Sequence, residues 1–168
     1  MWNDIDYMDH YKLFTIDPIN YPITELKKFV DELHSNDQHY MVIVDPGVKT
    51  EVGYEMYDEG LKDKLYITKA DGVTPIVNKV WPGLTVFPDF TNPKVQNYWG
   101  KYIEKFYNQI PVDGRKKQNS LDEILTFFLG LWLDMNEIVG FCDGECSEKK
   151  KLESIGNSII DENHPPYM

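Results

Sequence analysis

The segment Tyr40-Met41-Val42-Ile43-Val44 constrains this chain more than any other, because five apolar residues in a row run straight into Asp45-Pro46-Gly47. Strict alternation would leave a strand one wet face. An unbroken apolar run leaves none, so such a strand is covered on both sides. The run follows an amphipathic helix, in which Leu26, Phe29, Val30 and Leu33 recur at i, i+3, i+4 and i+7. Lys27, Lys28, Asp31 and Glu32 take the opposite face. A helix, then a strand buried on both faces, then a polar strand end is the pattern of an α/β fold with a parallel sheet.

The stretch from Asn3 to Tyr7 reads as the end of a further strand. Residues 48–90 do not repeat the helix–strand unit. Segments 65–68 and 76–80 look like two strands around the turn Ala70-Asp71-Gly72. The whole stretch therefore reads as an inserted hairpin excursion, and loops of this length in compact domains are usually functional. Asn92-Pro93 starts a helix, with Asn as N-cap and Pro in the first turn. Val95, Tyr98, Trp99, Tyr102 and Phe106 form its buried stripe, and Ile110-Pro111-Val112-Asp113-Gly114 closes it. Leu131-Trp132-Leu133 is a last strand, which hands directly to Asp134. Residues 115–130, with a capping-box pattern at Ser120 and Glu123, read either as an atypical insertion or as non-coding sequence translated by mistake. Residues 138–168 read as an irregular tail.

Composition narrows the partners. A formal net charge of -11 repels phosphate backbones and anionic lipid surfaces, so a nucleic-acid partner is not expected. A neutral ligand such as a sugar fits that charge. No apolar run approaches the ~18 residues of a membrane span. Aromatic residues make up 14% of the chain, and their faces serve both core packing and stacking on sugar rings. Cys142 and Cys146 are the only cysteines and have no nearby His to complete a zinc set, so no metal or other cofactor is expected. A local disulfide and two free thiols both stay open.

The chemistry-bearing residues gather at strand ends: Asp4 and Asp6, Asp45, and Asp134 with Glu137. In α/β barrels and open α/β sheets the reactive groups sit at the carboxyl ends of the strands. Carboxylates there suit cleavage of a glycosidic bond, whose transition state resembles an oxocarbenium ion. A retaining enzyme needs two carboxyl groups about 5–5.5 Å apart. Asp134 and Glu137 are not that pair, because residues three apart on a strand lie about 10 Å apart and face opposite sides.

Trp2-Asn3-Asp4-Ile5-Asp6-Tyr7-Met8 and Trp132-Leu133-Asp134-Met135-Asn136-Glu137 resemble the two signature segments of glycoside hydrolase family 31. Val44-Asp45-Pro46-Gly47, Lys79-Val80-Trp81-Pro82-Gly83 and Phe87-Pro88-Asp89-Phe90-Thr91-Asn92-Pro93 are similar to the family in the same order, and so is His164-Pro165-Pro166-Tyr167-Met168. The resemblance implies a partial (β/α)8 TIM barrel of about three strands, with the hairpin as an inserted subdomain after Asp45. It implies Asp134 as nucleophile and Asp4 as the acceptor of sugar hydroxyls. Trp81 and Trp132 would be aromatic walls of the sugar site, Ile43 and Met135 further lining, and Asp45 and Glu137 supporting residues. The form W-x-D-M-N-E resembles the α-glucosidase branch. That implies an α-glucoside or malto-oligosaccharide substrate and a parent protein of the secretory pathway, although this chain carries no signal segment. The family's acid/base aspartate lies on a later strand that has no counterpart here. A carbohydrate-binding piece without turnover, or a non-functional fragment, is therefore the competing expectation.

Overall fold

A computed structural model describes residues 1–113, 131–137, 140, 141 and 146. The capping-box pattern at Ser120 and Glu123, the insertion at 115–130 and most of the tail at 138–168 lie outside the described residues. The order is β1 (Trp2–Asn3), α1 (Ile23–Ser35), β2 (Met41–Val44), β3 (Val48–Lys49), α2 (Glu55–Lys62), β4 (Asn78–Val80), β5 (Gly83–Val86), α3 (Pro93–Gln109) and β6 (Leu131–Leu133).

The apolar run forms β2, the central strand of a parallel sheet ordered β1-β2-β6. Trp2 pairs with Met41 and Asn3 with Val42 on one side; Val42, Ile43 and Val44 pair with Leu131, Trp132 and Leu133 on the other. Val42 and Val44 are fully buried on the face toward the helices, and Ile43 is buried on the opposite face. Each such side chain contributes roughly 1.5–3 kcal/mol when taken out of water.

The helices cover one side of this sheet. α1 buries Leu26, Val30 and Leu33, whereas Phe29 stays 38% exposed and rests edge-on against Tyr40. In α3 the Asn92 side chain accepts from the Lys94 N–H at 3.1 Å and Pro93 occupies the first turn, so the expected cap is present. Its stripe of Val95, Tyr98, Trp99, Tyr102, Ile103 and Phe106 is buried. Phe14 joins the sheet to that stripe, 5.2 Å from the Trp99 ring centroid in edge-on contact.

Residues 48–90 fold differently from the expected hairpin. The strands are β3, β5 and β4, antiparallel in that order, and the hairpin turn is Trp81-Pro82 rather than Ala70-Asp71-Gly72. Pro82 presets the turn and Gly83 accepts φ 102°, a conformation costly for any residue with a Cβ. Segment 65–68 makes only isolated bridges, Tyr66 to Pro88 and Thr68 to Pro75. It serves instead as core. Tyr66 and Tyr98 both donate to the Met56 carbonyl, at 2.9 and 2.7 Å, and so tie α2 to α3. α2 itself, with its buried Met56 and Gly60, was hidden from sequence reading because only these two of its eight residues are buried.

Candidate active site

The parallel register brings the acids together. Asp45 follows Val44 and Asp134 follows Leu133, so the two carboxyl residues stand side by side across adjacent strands, about 4.8 Å apart along the hydrogen-bonding direction. The Asp134 N–H reaches the Val44 carbonyl at 3.4 Å, which carries the pairing one step past the strands. Asp4 ends β1 on the far side of β2, level with Ile43, two strands across from Asp134 and two residues short of it, and thus about 12 Å away. Asp6 and Glu137 are exposed and lie outside this row.

The three acids differ sharply in environment. Asp134 is exposed, and its Oδ1 accepts from the Met135 N–H at 2.9 Å. Met135 has φ 56°, in the left-handed region that non-glycine residues avoid. Such strain concentrates at functional sites, where the surrounding structure enforces it. Asp4 is exposed and its Oδ1 accepts from the Ile5 N–H at 2.8 Å, capping the short helical turn that follows β1. Asp45 is only 2% exposed, with Oδ1 accepting from the Gly47 N–H at 2.8 Å. Burial pushes its carboxyl up to about 6; the Gly47 N–H opposes that shift and the charge of Asp134 adds to it.

Around the row, Trp132 pairs with Ile43 and is 39% exposed, on the face of the sheet turned away from the helices. Trp81 is 50% exposed at the hairpin turn, edge-on to Phe141 at 4.9 Å. Phe141 was not singled out from sequence. It is brought there because its N–H donates to the Lys79 carbonyl at 2.8 Å, while the Cys146 N–H donates to the Val77 carbonyl at 3.0 Å. Phe141 and Cys146 thus lie beside β4 and the residue before it. Cys146 is disulfide-bonded, which decides between the two states left open for the cysteines. Gly140 sits against the Asn78 amide so closely that a Cβ would collide with it.

A cleft of about 720 Å³ opens between α3 and the helix-side face of the sheet, bordered by Val44, Asp45, Trp99, Ile103 and Leu133. It does not include Asp134 or Trp132. A second cleft of about 620 Å³ lies between α2 and α3 and holds none of the strand-end acids. Among the described residues no group of three His, Cys, Asp or Glu is placed to hold a metal ion, and no helix is long and apolar enough to cross a membrane.

Comparison with known proteins bears on the fold. Residues 1–163 match the profile of the glycosyl hydrolases family 31 TIM-barrel domain. Glucoamylase 1 of Candida albicans is 37% identical over 174 residues, which cover 99% of this chain and 16% of that protein. Alpha-xylosidase 1 of Arabidopsis thaliana is 37% identical over 147 residues, covering 88% of this chain and 14% of that protein. The crystal structure of a family 31 alpha-glucosidase from Bacteroides thetaiotaomicron superposes with a TM-score of 0.59 and 38% identity, over 68% of this chain and 19% of that one. The chain thus spans about 14–16% of the length of these curated relatives.

Proposed function

Since this chain belongs to glycosyl hydrolase family 31, through its TIM-barrel domain, we propose that Asp134 is the nucleophile of a retaining cleavage of terminal α-linked glucose. The observation that carries the reading is the state of Asp134: an exposed carboxylate at a parallel strand end, held by the N–H of a residue in strained backbone. Its oxygen attacks the anomeric carbon, the bond to the leaving oxygen breaks, and a glycosyl ester forms. A second carboxyl group protonates the leaving oxygen and later takes a proton from the attacking water. Asp45 does not serve, because a group 2% exposed cannot reach a leaving group. The family resemblance puts the acid on a barrel strand beyond those described.

In the same reading Asp4 accepts sugar hydroxyls, Trp132, Trp81, Ile43 and Met135 line the sugar, and Glu137 steadies the turn after Asp134. The Cys146 disulfide supports a secretory compartment, since such bonds persist in oxidising surroundings. The substrate is an α-glucoside. The 37% identity to an α-xylosidase makes the sugar's exocyclic hydroxymethyl group the point that a substrate comparison has to resolve.

The test is a chimera with residues 1–137 of this chain in the corresponding place of the Candida albicans relative. A glucose-configured epoxide or aziridine should label Asp134, and Asp134→Asn should lower kcat by about 10⁴-fold or more. Labelling at another residue rejects the assignment. A second reading, sugar binding without turnover, is favoured for the 168-residue chain alone by the burial of Asp45, the one acid beside Asp134. Calorimetry with maltose, set beside a hydrolysis assay, separates the two.

A further inference from the structure

Asp45 is the residue whose placement the proposed mechanism leaves unused. It adjoins Asp134 by register, it is almost wholly buried, and one oxygen is held by the Gly47 N–H. A carboxyl group in such a position is costly to ionise unless a cation faces it. Among the described residues, the titratable groups around it supply none. Tyr7 follows β1, and its hydroxyl donates to the Ile43 carbonyl at 2.8 Å. Tyr54 precedes α2, and its hydroxyl donates to the Leu13 carbonyl at 2.8 Å. The ionisation of both tyrosines is disfavoured first by their own burial and then partly by Asp45, which marks them as its neighbours. The third neighbour is Asp134, a like charge.

We propose that Asp45 is a positioning residue for Asp134, the buried member of a carboxyl pair that retains its proton so that a single negative charge faces the sugar. The proposal rests on Asp134 acting as nucleophile, but its physical core, the coupling of the two carboxyls, is measurable without turnover. Two acids this close lose their protons in steps that belong to the pair. Asp45 gives up its proton only near pH 6, because burial opposes its charge first and the neighbouring Asp134 adds to that. Below that point the buried member of the pair is neutral. Above it the buried carboxylate repels Asp134 across a single strand spacing.

The experiment is a pH titration of the chimera, with ¹³C-carboxyl aspartate confined to residues 1–137 by segmental ligation, followed by NMR for the native sequence, Asp45→Asn and Asp134→Asn. The native chain should show one carboxyl midpoint near pH 6 that vanishes in Asp45→Asn and moves down by half a unit or more in Asp134→Asn. The Asp134 signal should bend a second time at that pH, and lose the bend in Asp45→Asn. An Asp134 curve that is the same with and without Asp45, or the absence of any aspartate midpoint above pH 5, overturns the proposal. In the chimera, Asp45→Asn should raise the ratio of kcat at pH 7 to kcat at pH 5 at least threefold, with KM within twofold. Asp45→Glu should restore the native ratio. An unchanged ratio also counts against the pairing. If Asp134→Asn leaves the chimera active, the nucleophile assignment fails, whatever the titration shows.

Discussion

Asp113 shows how much one carboxylate can hold together at the opposite end of the sheet. Its oxygens accept from the His34 ring at 2.9 Å, the His39 ring at 2.8 Å and the Tyr40 N–H at 2.6 Å. The end of α1, the entry to β2 and the segment after α3 thus meet on one side chain. Burial would push this carboxyl up, but the Tyr40 N–H and the two imidazoles more than offset that, so it lies below the usual carboxylate range. A lowered value means stability present above the unfolded midpoint of about 3.9 and lost as pH falls through the folded one. Asp113→Ala should cost about 1–3 kcal/mol at pH 7, since it strands the Tyr40 N–H as well as removing charge. Urea unfolding at pH 7 and at pH 2.5 checks this, and the gap between the two proteins should narrow at the lower pH. The strand-end places of Asp134 and Asp45 could be read from sequence because each directly follows an apolar stretch, whereas Asp4 follows Asn3 and stood out only through the resemblance carried by Trp2 to Met8. Asp113 could not, since its partners lie 73 to 79 residues away and no local pattern announces them.

At the scale of elements, β2 and α3 were legible and the excursion was not. A continuous apolar run and an Asn-Pro helix start are local signals. The pairing of β5 with both β3 and β4 joins segments up to some forty residues apart and follows from a turn at Trp81-Pro82 that competed with a plausible one at Asp71-Gly72. That second turn does form, with the Asp71 carboxylate accepting from the Val73 and Thr74 N–H groups at 2.9 Å, but it joins bridges rather than strands. The contact between β4 and the segment after Asp134 is tighter than any pattern could foretell. Gly140→Ala forces a methyl group into the Asn78 amide. It should lower stability by about 1–3 kcal/mol through overpacking and speed hydrogen exchange of the Phe141 and Cys146 amides several-fold. Asn78→Ala placed in the same chain should return much of the loss by making room. Protected amides in Gly140→Ala would show that the two segments are not held by this contact.

The whole molecule carries a sheet whose outer strands, β1 and β6, each pair only with β2 among the described residues. Unpaired parallel edges are templates for further strands. Leu133 is 40% exposed and Phe90 54%, both on the apolar cleft beside α3. The 168-residue chain should therefore self-associate at micromolar concentration, and sedimentation velocity checks it. A single monomeric boundary with a cooperative melt would mean that the edges are protected. Leu133→Lys should reduce the association, by charging the cleft wall. The fit of Gly140 to Asn78 reaches further than stability. Asn78 of the excursion and Gly140 beyond Asp134 are two halves of one mould, so exchanging either between relatives alone should disturb their fit. Drift in one half has to wait for its counterpart, and a specificity graft that moves the hairpin without its matching glycine would arrive misaligned.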